Sequence, residues 1–199
     1  MPPRRMLVAA CAAAIACANA SAGASAEAER FAQVVDGSLP APRAWPYGAW
    51  VSLQRTACFG TCPAYTVRVD GAGHVEFRGR SFVCVKGLHR ARIPRAAAQR
   101  LLAAIDDAGF ATMADYDRRD WTDAPSNLLQ ADFGSGVHQV RHYDGMKDVP
   151  DLVDAIEDTI DRVSQDARWL PSIRQPSACT RRDGSRYTFD MHGRTQPLR

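Results

Sequence analysis

Period-two alternation of apolar and polar positions recurs along the middle of the chain. Trp50-Val-Ser-Leu-Gln54 reads as a strand, and the loop Thr56-Ala-Cys-Phe-Gly-Thr-Cys-Pro63 follows it. Tyr65-Thr-Val-Arg-Val69 and His74-Val-Glu-Phe-Arg78 alternate on either side of Asp70-Gly-Ala-Gly73, the pattern of a hairpin. Phe82 to Val85 and Leu88 to Ile93, separated by Lys86-Gly87, predict a further strand pair. A second hairpin is expected from Leu128 to Phe133 and Val137 to Tyr143, turned by Gly134-Ser-Gly136.

Helical spacing replaces alternation in two places. Pro94 suits a first helical position, and Leu101, Leu102 and Ile105 form a stripe that ends at Gly109, whose left-handed cap brings Phe110 toward Ile105. The last helix starts near Pro150 with Asp148 as its expected N-cap. Leu152, Val153, Ile156, Ile160 and Val163 share one side, while Asp154, Glu157, Asp158 and Asp161 fall largely on the other and read as a solvated face. Trp169 and Leu170 are expected to close over the core. Strands, helix, hairpin, helix is the order of an α+β domain: an antiparallel sheet of hairpins with two helices packed on one face, placed at residues 45–170.

The ends of the chain follow other rules. Residues 1–20 combine Arg4 and Arg5, an uncharged apolar run from Met6 to Ala18 and the small-residue pattern Ala18-Asn-Ala20, which predicts a cleaved signal peptide. The run is too short for a ~20-residue membrane span. Cys11 and Cys17 raise a lipid anchor as the alternative to soluble export. Residues 21–44 are rich in Ala, Ser and Pro and read as a flexible linker. Residues 171–199 read as a C-terminal extension in which Asp183-Gly184 can turn a small hairpin. Twelve of the 33 alanines lie in the first 28 residues, so the 46% hydrophobic fraction overstates the folded part. The formal charge of +3 falls to +1 without Arg4 and Arg5, too little for a nucleic-acid footprint.

Four cysteines follow the leader: Cys58, Cys62, Cys84 and Cys179. An oxidising compartment favours disulfides, and four cysteines permit three connectivities. Residues four apart in an extended strand are ~13 Å apart, so Cys58 and Cys62 can join only if the chain turns between them. Gly60 and Pro63 supply such a turn. Pairing Cys58 with Cys62 leaves Cys84 for Cys179, a pairing that rests on the leftover count. The alternative for Cys58 and Cys62 is a metal or redox site, because Cys58-Phe-Gly-Thr-Cys62-Pro63 resembles the C-x3-C-P motif of the Sco copper-chaperone family. In that family the motif leads into a helix of a thioredoxin fold, whereas here it leads into a hairpin.

Other candidate chemistry is thin. His138 and His142 share a strand face but stand about 13 Å apart, and His74, His89 and His192 are isolated, so a metal site would have to borrow residues from different elements. Asp115, Asp117, Asp120 and Asp123 crowd one loop, yet the sixth position of a calcium template is Asp120 in place of Gly and the twelfth is Ser126 in place of Glu. Gly71-Ala-Gly73 precedes a strand and cannot cradle a nucleotide phosphate, and Gly79-Arg-Ser-Phe-Val83 lacks the last Gly of a nucleophile elbow.

Arg55-Thr-Ala-Cys-Phe-Gly-Thr-Cys-Pro-Ala-Tyr65, the Val-x-Val-Asp-Gly-x-Gly hairpin after it, Thr122-Asp-Ala-Pro125 and the closing helix together resemble the bacterial domain of unknown function 6438 family, from about Trp50 to Leu170. The resemblance implies an exported or lipid-anchored protein and carries no catalytic residues with it. The resulting expectation is a periplasmic or secreted, non-catalytic module without a cofactor that binds an envelope protein or surface component, with thiol-redox or copper handling as the alternative.

Overall fold

The computed structural model describes residues 26–41, 43–118, 123–146, 148–164, 169, 179–181 and 183–198. The expected leader, with Cys11 and Cys17, lies outside them, as do Thr122 and Leu170. Strands β1 (Trp50–Arg55), β2 (Ala64–Asp70), β3 (His74–Ser81), β4 (Gly87–Arg92), β5 (Ser126–Asp132) and β6 (Val137–Tyr143) form one antiparallel sheet in the order β4-β3-β2-β1-β5-β6.

Alternation decides which face each side chain takes. Val51, Leu53, Val67, Val69, Val75, Phe77, Leu129 and Val140 point inward and are fully buried, whereas Arg68, Glu76, Arg78 and Gln139 face outward and are exposed. Helices α2 (Arg95–Asp107) and α3 (Asp151–Val163) cover the inward face with Leu101, Leu102 and Ile105 and with Val153, Ile156 and Ile160. The α+β architecture expected from element order is the one observed. Gly109 takes the left-handed conformation after α2 (φ 74°), and the Phe110 that follows is completely buried. Gly73 turns the β2–β3 hairpin at φ 86°, where a Cβ would also run into the Ile93 carbonyl. Among the described residues, no helix is long and apolar enough to cross a membrane.

Several expectations need correction. Residues 26–36, inside the stretch expected to be a linker, form helix α1. Its Phe31, Val34 and Val35 follow the i, i+3, i+4 spacing of one helical face and are buried in the main core, a signal too short to stand out in an Ala-rich stretch. Arg30 Nε reaches Asp107 of α2 at 3.0 Å, and Arg100 Nε reaches the Val35 carbonyl at 3.1 Å. Phe82–Val85 is not a strand: β3 itself continues to Ser81 and β4 pairs with it, His74 opposite Arg92 and Gly79 opposite Gly87. Phe82 breaks the extended path at φ 52°. Pro94 and Pro150, not Asp148, stand at the N-cap positions of α2 and α3, and neither helix has a side-chain cap.

The C-terminal residues form a second small sheet, β7 (Cys179–Thr180), β8 (Arg186–Phe189) and β9 (Thr195–Pro197), with the expected turn at Asp183-Gly184. Cys179, Tyr187 and Phe189 are buried against Phe82 and Cys84. Trp169 stacks on Phe77 with ring centroids 4.8 Å apart, so it does close over the core, and its carbonyl accepts the Cys84 amide at 2.7 Å.

Candidate functional site

The loop between β1 and β2 brings Cys58 and Cys62 to disulfide distance, with Cα atoms 5.6 Å apart. Backbone contacts hold the loop against the start of β5. Thr56 N–H donates to the Ser126 carbonyl at 3.0 Å, Ser126 N–H donates back to Thr56 Oγ1 at 2.8 Å, and Phe59 N–H donates to the Asp123 carbonyl at 3.2 Å. Between the two cysteines, the Phe59 ring is 81% exposed, the most exposed large apolar side chain among the described residues. Cys84 and Cys179 form the other pair at disulfide distance, Cα atoms 5.4 Å apart, and join the β3–β4 connection to the tail sheet.

Beneath the loop, one rung of the sheet is polar on its inward face. Tyr65 of β2 is opposite Arg55 of β1, Arg55 is opposite Asn127 of β5, and Asn127 is opposite His142 of β6. Each has the parity of the apolar residues in its own strand, so all four point toward α3. From α3, Glu157 and Asp161 reach down to meet them. Arg55 Nη1 donates to Glu157 Oε2 at 3.1 Å, and Arg55 Nε and Nη2 donate to Asp161 Oδ2 at 3.1 and 2.9 Å. Tyr65 O–H donates to Asp161 Oδ1 at 2.8 Å, and Asn127 Nδ2 donates to Glu157 Oε2 at 2.7 Å. His142 Nδ1 lies 3.1 Å from Glu157 Oε1 and 3.7 Å from Asp154 Oδ1. A carboxylate as buried as Glu157, 2% exposed, is tolerable only with this density of donors.

The acidic side of α3 is therefore not one solvated face. Asp154 and Asp158 are exposed, as expected, but Glu157 is buried and Asp161 is half-buried. On the helical wheel Glu157 is i+4 from Val153 and i−3 from Ile160, which draws it toward the apolar stripe.

Electrostatics follow from this packing. Burial opposes the charge on Arg55, but Asp161, Tyr65 and Glu157 outweigh it and raise its pKa, so the guanidinium stays charged. Burial likewise opposes the His142 cation, and the hydrogen bond and charge of Glu157, helped by Asp154 and Asp144, reverse the balance and raise its pKa. Burial, with Asp144 and Asp158, raises the pKa of Asp154 against the pull of His142 and Arg55.

The remaining sequence candidates stand apart. His138 packs edge-on against Phe110 and bonds to the Met113 carbonyl at 3.0 Å. His74 pairs with Asp70 at 2.8 Å, and His89 lies 3.0 Å from the Lys86 carbonyl. His192 is exposed in the tail turn, where its backbone N–H donates to Asp190. Asp115 accepts the Arg141 backbone N–H at 2.7 Å, and Asp120 lies outside the described residues. Sequence reasoning missed Arg55, Tyr65, Asn127, Glu157 and Asp161, whose available signal was their position at the end of an inward-facing row or beside an apolar stripe. The ligand atoms of His142, Asp154 and Glu157 all lie within 4.8 Å of one another, a grouping that does not include the cysteines.

A family model described as Domain of unknown function (DUF6438) matches residues 49–164, which spans β1 to the end of α3 and leaves α1 and the tail sheet outside. No curated protein matches the chain significantly.

Proposed function

We propose, for a chain that belongs to the DUF6438 family of domains of unknown function, a non-catalytic binding role in the cell envelope, with the Cys58–Cys62 loop as its recognition element. The observation that carries this reading is the 81% exposure of Phe59 in a loop whose backbone is bonded to Ser126 and Asp123 and whose cysteines lie at disulfide distance. Aromatic anchors dominate binding energy at interfaces, and a loop fixed before binding loses little conformational entropy on contact. The cysteine pair, the backbone bonds to Asp123 and Ser126, and the Arg55–Tyr65–Asp161 clamp at the loop's two roots supply that fixation.

Export to the periplasm or outside the cell is part of the same proposal. It is supported by the basic-apolar-small order of residues 1–20 and by two cysteine pairs at disulfide distance, since disulfides persist in oxidising compartments. The partner is an envelope protein or surface component with an apolar pocket.

Redox titration with a parallel Cu(I) competition assay tests the role given to the cysteines. A structural staple has a reduction potential below about −300 mV and no tight Cu(I) site. A readily reducible pair, or strong Cu(I) binding lost on Cys58→Ala, would replace the binding role with thiol-redox or copper chemistry. Phe59→Ala should weaken partner binding at least ~10-fold while the fold is retained.

A further inference from the structure

The polar rung also gathers metal-ligating atoms that the loop clamp does not use. Glu157 Oε2 is occupied by Arg55 and Asn127, which leaves Oε1 facing His142 Nδ1 at 3.1 Å, and Asp154 Oδ1 approaches the same nitrogen at 3.7 Å. Two ligand atoms bound to one ion at about 2.1 Å and subtending roughly 100–130° are ~3.2–3.8 Å apart, close to both separations. Burial places His142 and Glu157 in a rigid setting, and the 60% exposed Asp154 opens the group to solvent, so an ion has a way in.

A second observation lies beside this group. Asn127 is 1% exposed, and its Oδ1 has no hydrogen-bond partner. The amide that carries this oxygen is the one bonded to Glu157, in the register position beside His142. A buried amide oxygen without a protein partner is costly, and it adds an oxygen acceptor next to Glu157. Charge agrees: Glu157, Asp158 and Asp161 gather on one guanidinium, Arg55, with Asp154 adjoining, so carboxylates outnumber cations around the group.

We propose that His142, Asp154 and Glu157 bind a divalent transition-metal ion of the zinc class beside the Asn127 amide. An imidazole nitrogen combined with carboxylates suits zinc better than calcium or magnesium, which take all-oxygen sets. Three protein ligands leave a coordination position for water, unlike a closed four-thiolate site. The ion takes the place of the proton between His142 Nδ1 and Glu157 Oε1. This site is independent of Phe59 and of the redox state of the cysteines.

The test is calorimetric titration of Zn²⁺ into the oxidised full chain, together with Co²⁺ absorption as a report on ligand geometry. One ion per chain is expected. Asp154→Asn, on an exposed side chain that leaves the buried rung intact, should weaken binding at least ~10-fold, as should His142→Gln. Cys58→Ser with Cys62→Ser, and His89→Ala, should leave it unchanged. Absence of Zn²⁺ binding, or binding that survives both Asp154→Asn and His142→Gln in folded protein, overturns the proposal.

Discussion

Arg55 and Asp161 are 106 residues apart in the chain and meet through two N–H···O contacts, 2.9 and 3.1 Å, that fasten the end of β1 to the last turns of α3. Tyr65 joins the same carboxylate from the next strand, so both roots of the cysteine loop end on one acid. Asp161→Ala should lower stability by roughly 2–3 kcal/mol, at or below the bottom of the range for a broken buried pair because both partners keep some exposure. Arg55→Lys keeps the charge but loses the fork geometry and should recover only part of the wild-type value. Urea denaturation followed by circular dichroism measures both.

Removing the Cys58–Cys62 pair should cost about 2 kcal/mol, because the loop it closes is small. Phe59→Ala should change stability by less than ~0.5 kcal/mol, since the ring is almost wholly in solvent. Thermal unfolding of the two variants side by side separates a staple from an exposed anchor.

Asp70 gives the hairpin turn a defined pH dependence. Burial raises its pKa, but the His74 backbone N–H, the His74 ring and the Ala72 N–H act more strongly together and lower it. A carboxylate depressed in the folded state contributes stability that is fully present above its unfolded value of about 4 and is lost as pH falls through the folded value. Asp70→Asn keeps an oxygen acceptor for the two N–H groups, so it should lose this contribution at neutral pH and show a shallower decline below pH ~4. The difference between the two denaturation profiles from pH 6 to pH 2 is the readout.

Cys84 and Cys179 lie at disulfide distance between the β3–β4 connection and the small tail sheet, and the Tyr187 O–H donates to the Cys84 carbonyl at 3.1 Å. Cys84→Ala should leave the main sheet intact and make the tail sensitive to trypsin. Non-reducing peptide mapping of the wild type should recover a Cys84–Cys179 linked peptide; free thiols at both positions would leave the tail held by Phe82, Tyr187 and Phe189 alone.

Period and turn chemistry made most of the sheet legible. The turns at Asp70–Gly73 and Gly134–Gly136 lie where spacing puts them, and the apolar stripes of α2 and α3 are the faces that pack. α1 escaped because Phe31, Val34 and Val35 make a single short stripe whose burial depends on α2 and the sheet. Phe82–Val85 was misleading because four apolar residues also suit a buried irregular connection. The polar rung escaped for a different reason. Arg55, Tyr65, Asn127 and His142 each look like an ordinary strand terminus, and only the β2-β1-β5-β6 order, a non-local property, aligns them under Glu157 and Asp161.

Site-specific photocrosslinking from position 59, in the cells that make the protein, tests the recognition loop most directly. A photoreactive residue replacing Phe59 should give one discrete covalent product that excess untagged protein competes away. The same residue at Val137, also exposed at 57%, should not give that product. No product from position 59, or the same products from both positions, would contradict the assignment of the Cys58–Cys62 loop as the binding element.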